Sequence, residues 1–142
     1  VLHTGSRREG RSEELRLVDL DSGEQQVLLS GPLGPLQPVW SPDGKQIAYV
    51  QRSMDKPLKA GPQVAMPLGD IWTIDVASGE LQQLTFTQAI TRPPVWSPAG
   101  KLLAFVTAGG ELGLVSSSEP GVIWRIGDQL LQPQFTRLGF IP

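Results

Sequence analysis

Few side chains in this sequence have the type and spacing for covalent chemistry. His3 is the only histidine and there is no cysteine, so disulfides, thiolate nucleophiles and Cys-based metal sites are excluded. No Gly-x-Ser-x-Gly segment supplies a nucleophile elbow, which leaves His3 with nothing to activate. Ser53-Met54-Asp55-Lys56 has the Ser-x-x-Lys spacing of penicillin-recognising enzymes. It falls in a loop without the companion motifs that give that spacing meaning. Gly31-Pro32-Leu33-Gly34-Pro35 is glycine-rich but lacks the Lys-Ser/Thr ending of a phosphate loop, and its prolines remove backbone donors. Asp19 and Asp75 could serve as paired acid–base carboxylates or Ca²⁺ ligands. Their setting in a repeat makes them turn acceptors instead, one per repeat unit. The expectation is therefore no catalytic residue, no metal and no cofactor.

Recognition chemistry has more to work with. Net charge is −2 with pI ≈ 5.3, against the basic excess that duplex nucleic acid demands. No apolar run reaches the roughly 18 residues of a membrane span. Two segments concentrate cations. Residues 5–14 carry Arg7, Arg8 and Arg11 beside acidic neighbours, and residues 51–69 carry Arg52, Lys56 and Lys59 with apolar Met54 and Met66. With Arg92 these form the candidate contact set for an acidic peptide or protein partner. Connections as long as 51–69 are usually functional or disordered.

The elements that must position these residues come from an internal repeat. Pro38-Val39-Trp40-Ser41-Pro42-Asp43-Gly44-Lys45-Gln46-Ile47-Ala48-Tyr49-Val50 returns 56 residues later as Pro94-Val95-Trp96-Ser97-Pro98-Ala99-Gly100-Lys101-Leu102-Leu103-Ala104-Phe105-Val106. At the same offset, Leu17-Val18-Asp19-Leu20-Asp21-Ser22-Gly23-Glu24 returns as Thr73-Ile74-Asp75-Val76-Ala77-Ser78-Gly79-Glu80. Ser41, Pro42, Asp43 and Gly44 make a tight turn: Pro presets φ and Gly accepts φ > 0. Ser97, Pro98 and Gly100 keep that turn although Ala99 replaces the aspartate. Gly and Pro (16 and 13 residues) make up about a fifth of the 142, too dense for long helices. Short apolar runs bounded by turn residues read as strands.

Each full repeat gives four strands. The first is 38–41. The second is 46–51 or 102–107, the third 71–75 or 112–115, and the fourth 81–85 or 122–126. Residues 1–29 supply strands two to four of a first unit, 36–85 a second and 92–126 a third. Residues 132–142, with Phe135 at the Trp position, supply a first strand for another. Four-stranded repeats with one Trp-Ser-Pro-Asp-Gly turn each resemble the TolB-type, WD-repeat-like β-propeller.

The resemblance implies an all-β propeller with about three blades in the chain, half of a six-bladed ring. The strand-one aromatics stand at 40, 96 and 135, in steps of 56 and 39. A step of 47, from 135 through the C-terminus to Trp40 of another copy, lies between them. The other half would be a second copy, giving a homodimer, or further blades on a longer chain. Val1 opens the sequence without an initiator Met or a signal pattern, as in a processed or excised chain.

The resemblance also implies an exported bacterial protein, periplasmic or extracellular, that holds a protein or peptide partner on one loop face or in the central channel. Loops 5–14, 29–37, 51–69, 86–93, 107–110 and 127–132 would share that face. Two other readings stay open. One is the substrate-gating propeller of a prolyl-oligopeptidase-like serine peptidase, with its catalytic domain elsewhere. The other is a sensor propeller for a small ligand or Ca²⁺.

Overall fold

The computed structural model describes residues 2–6, 13–31, 35–52, 68–90 and 92–126. They form eleven antiparallel strands in three sheets. The first sheet is β1 (Leu2–Ser6), β2 (Glu13–Val18) and β3 (Gln25–Gly31). The second is β4 (Pro35–Trp40), β5 (Gln46–Arg52), β6 (Gly69–Asp75) and β7 (Leu81–Gln83). The third is β8 (Val95–Trp96), β9 (Leu102–Val106), β10 (Leu112–Ser116) and β11 (Ile123–Arg125). Each sheet is a simple meander in chain order. Each has a fourth-strand position at one edge, and the second and third sheets begin with an inner strand carrying Trp40 or Trp96. The chain is a partial β-propeller.

Packing explains why β5 is an unbroken apolar run rather than an alternating one. Ile47 and Tyr49 face the preceding sheet and pack with Leu15 and Ile74. Ala48 and Val50 face the following sheet and pack with Ile71, Leu84, Ile90, Trp96, Leu103, Phe105 and Val115. A strand covered on both sides can be apolar on both. Each sheet thus has a leading face toward its predecessor and a trailing face toward its successor. Trp96 adds a polar tie between sheets, its Nε1 donating to the Val39 carbonyl at 3.3 Å.

Three strands differ from the expected spans for local reasons. The inner strand of the second sheet starts early, at Pro35, and its register shifts between Leu36 and Val39. Gln37 sits in that shift with φ +55°. The inner strand of the third sheet is only Val95–Trp96, because Pro93 and Pro94 have no N–H to give a ladder. The outer strand β7 stops at Gln83. Beyond it the amides of Leu84 and Thr85 both turn to the Ile71 carbonyl. Residues 132–142, expected to supply another first strand, lie outside the described residues.

Candidate partner-binding face

The turns are built by short polar side chains. Ser41 Oγ donates to Asp43 Oδ1 at 2.6 Å and accepts from the Gln46 amide at 2.9 Å. Asp43 Oδ1 also accepts from the Lys45 amide. The Ser41 hydroxyl, helped by the Lys45 amide, holds the Asp43 carboxyl below the ordinary carboxylate range. Gly44 and Gly100 have φ of +70° and +69°, and Gly100 donates to the Ser97 carbonyl as Gly44 does to Ser41. Ser97 Oγ accepts from Leu102 at 3.1 Å. Pro42 and Pro98 occupy the second turn position in each copy.

Asp19 and Asp75 behave identically. Each Oδ1 accepts two backbone amides and one serine hydroxyl, all within 3.0 Å, from Asp21 and Ser22 or from Ala77 and Ser78. The serine amide bonds, then the hydroxyl bonds, lower both carboxyls. In the third sheet Ser116 takes the aspartate's place, and its Oγ accepts from the Ser118 amide. Among the described residues no three His, Cys, Asp or Glu side chains are grouped to hold a metal ion.

The other end of the sheets carries Arg52 of the candidate contact residues. Arg52 and Gly69 stand opposite each other on the last rung of β5–β6, so the long excursion between them springs from a closed ladder. A Cβ on Gly69 would collide with the Gln51 carbonyl oxygen, which is why this position is glycine. Gly69 and Ile90 exchange both backbone hydrogen bonds, at 3.0 and 3.1 Å, and Ile90 bridges onward to Thr107. Ala108 donates to the Ala89 carbonyl at 2.8 Å. The connections 51–69, 86–93 and 107–110 are therefore stitched together at one end.

The stitch is anchored by Asp70, a buried residue whose Oδ1 accepts from Thr85 Oγ1 (3.0 Å), the Thr87 amide (2.7 Å) and the Gln88 amide (3.0 Å). Thr85 Oγ1 accepts in turn from the Ile71 amide. Arg52, opposite Gly69 on the last β5–β6 rung, and Arg92, two residues beyond Ile90, are both half-buried. Arg7, Arg8, Arg11, Met54, Lys56, Lys59 and Met66 lie outside the described residues. Sequence reasoning missed Asp70 and Thr85. The available signal was a carboxylate at the mouth of an otherwise apolar strand.

Comparison with known proteins matches this architecture. No protein-family model matches the chain. The Tol-Pal system protein TolB of Chromobacterium violaceum is 33% identical over 73 residues, covering 51% of this chain and 14% of that protein. The crystal structure of TolB from Acinetobacter baumannii superposes with a TM-score of 0.68 at 22% identity, over 89% of this chain and 30% of that one. The chain is related to the TolB-type β-propellers. An uncharacterized peptidase of Bacillus subtilis, YuxL, is also similar, 28% identical over 124 residues, covering 70% of this chain and 19% of that protein. The chain spans no more than about a fifth of these curated relatives.

Proposed function

We propose that the chain is a non-catalytic propeller scaffold of the periplasm that binds a protein or peptide through its stitched loop face. The observation that carries this reading is the Gly69–Ile90–Thr107 bridge. It fixes the bases of three connections side by side, as a binding surface on a rigid scaffold requires. The cations and methionines of the 51–69 excursion suit an acidic partner with an apolar component. The likeness to a Tol-Pal system protein supports a place among interacting envelope proteins.

A photo-cross-linking residue tests it. Placed at Lys56 in cells, it should capture adducts of defined mass. Placed at Leu20, in the turn at the opposite end of the sheets, it should capture none. Equal labelling at both positions would refute the assignment of the face. A second reading, the propeller of a serine peptidase, rests on the likeness to YuxL. It requires a Gly-x-Ser-x-Gly segment in the same gene beyond this chain.

A further inference from the structure

Of the aspartates in the chain, only Asp43 is followed by glycine. That pair has a chemistry of its own. The Gly44 nitrogen can attack the Asp43 side-chain carbonyl carbon and close a five-membered imide. A glycine nitrogen, with no Cβ beside it, is the least hindered for that attack. The nitrogens after Asp19, Asp21, Asp70 and Asp75 belong to Leu20, Ser22, Ile71 and Val76, whose side chains crowd them. Asp43 is exposed, and a Cβ on Gly44 would meet no atom within 4 Å. The space beside this turn is therefore open.

The folded turn opposes that closure on both partners. Gly44 donates its N–H to the Ser41 carbonyl at 3.0 Å, which holds the proton on the nitrogen that would have to lose it. Asp43 Oδ1 accepts from Ser41 Oγ at 2.6 Å and from the Lys45 amide at 3.1 Å, which keeps the carboxyl turned to those donors. The Ser41 hydroxyl, then the Lys45 amide, also hold this carboxyl below its ordinary range. It stays ionised and has no hydroxyl to lose. The second copy shows that the carboxylate is not needed to shape the turn. With Ala99 in its place, Gly100 keeps φ at +69° against +70° for Gly44 and donates to the Ser97 carbonyl at 2.9 Å.

We infer that Asp43–Gly44 is a site of spontaneous backbone modification, and that the Ser41 hydroxyl is its guard. The Gly44 nitrogen bonds to Asp43 Cγ and loses its proton, the Cγ–O bond of the protonated carboxyl breaks, and one water leaves. Water then adds back at one of the two imide carbonyls. Addition at Cγ restores aspartate. Addition at the main-chain carbonyl carbon leaves the chain running through Cγ and frees the old main-chain carbonyl as a carboxylate, giving isoaspartate. Nothing is oxidised or reduced, and one water is lost and one regained. The product is one carbon longer between β4 and β5, where the Ser41 amide meets the Gln46 carbonyl at 2.8 Å. The modification rests on this turn alone and is independent of the partner-binding face.

Prolonged incubation of the purified chain at neutral pH tests this. Isoaspartate is read by peptide mapping and by methyl transfer from a purified isoaspartyl methyltransferase. It should accumulate at Asp43 before any other aspartate, and faster in concentrated guanidinium than in the folded chain. Ser41→Ala should raise the folded-state rate about tenfold, the factor that a hydrogen bond to a charged group is worth. It should leave the rate in guanidinium unchanged. Ser41→Thr, which keeps the hydroxyl, should react as slowly as the parent chain. Asp43→Ala, which copies the Ala99 turn, should remove the signal from this peptide with the far-UV spectrum unchanged. A folded Ser41→Ala variant that reacts no faster than the parent would overturn the proposal. So would isoaspartate appearing first at another aspartate, or a folded parent chain that reacts as fast as the unfolded one.

Discussion

Tyr49 is the only tyrosine in the chain and lies 2% exposed between the first two sheets. Burial pushes its hydroxyl up to about 12 from an ordinary 10.0, because the phenolate would lose its hydration there. A raised folded-state value means the stabilisation is fully present below about pH 10 and is lost as pH rises through about 12. Phenolate absorbance reports this one group. It should titrate near 12 in the native protein and near 10 in concentrated guanidinium. A native midpoint at 10 would show that the first joint is open to water. The two inner-strand tryptophans allow a paired test. Trp96→Phe removes the Nε1 bond to the Val39 carbonyl and should cost about 1 kcal/mol in urea unfolding beyond the lost ring area. Trp40→Phe, at a half-open position, should cost less.

At the scale of elements, local chemistry and long-range contact separate what the sequence discloses from what it conceals. The all-β propeller class was legible because its turns are written in consecutive residues. Pro42 and Gly44 set the backbone of one turn, and Asp75, Ser78 and Gly79 set that of another. The short β8 was legible in principle from Pro93-Pro94. The strap at 84–90 was not. Leu-Thr-Phe-Thr-Gln-Ala-Ile contains no Gly or Pro to mark it, and its partners Gly69, Asp70 and Thr107 are distant in sequence. Of the candidate contact residues, the sequence pointed to the excursion by its length. Nothing local announced that its base is clamped by Asp70. The clamp should be measurable. Thr85→Val keeps the volume but strips a buried hydroxyl from both the Ile71 amide and Asp70, and should cost about 1–3 kcal/mol. Asp70→Ala, which strands the Thr87 and Gln88 amides, should cost about 3 kcal/mol. In both variants hydrogen exchange at the Ile90 amide should accelerate before exchange in β5 does.

At the scale of the whole molecule, the same carboxylate device recurs at Asp19, Asp43 and Asp75, so its pH dependence becomes a property of the fold. All three carboxyls are lowered by hydrogen bonds to their ionised form, Asp19 and Asp75 chiefly by a serine amide and Asp43 chiefly by a serine hydroxyl. A lowered folded-state value gives stabilisation that is present above the unfolded value of about 4 and is lost as pH falls through the folded value. Asp19 lies in a different sheet, and its effect should add. The Asp43 and Asp75 turns meet at one end of the second sheet, with Gln46 opposite Asp75 and Lys45 beside both, so those two effects should couple. Thermal unfolding followed from pH 6 to pH 2 should therefore show a midpoint that holds to about pH 4 and then declines. In the triple variant Asp19→Asn, Asp43→Asn, Asp75→Asn, the amide oxygen can still accept the backbone bonds but carries no charge to lose. That variant should start with a lower midpoint at pH 6 and show a flatter acid limb. An acid limb as steep as that of the parent chain would place the acid-sensitive groups elsewhere and reduce these turns to a geometric role.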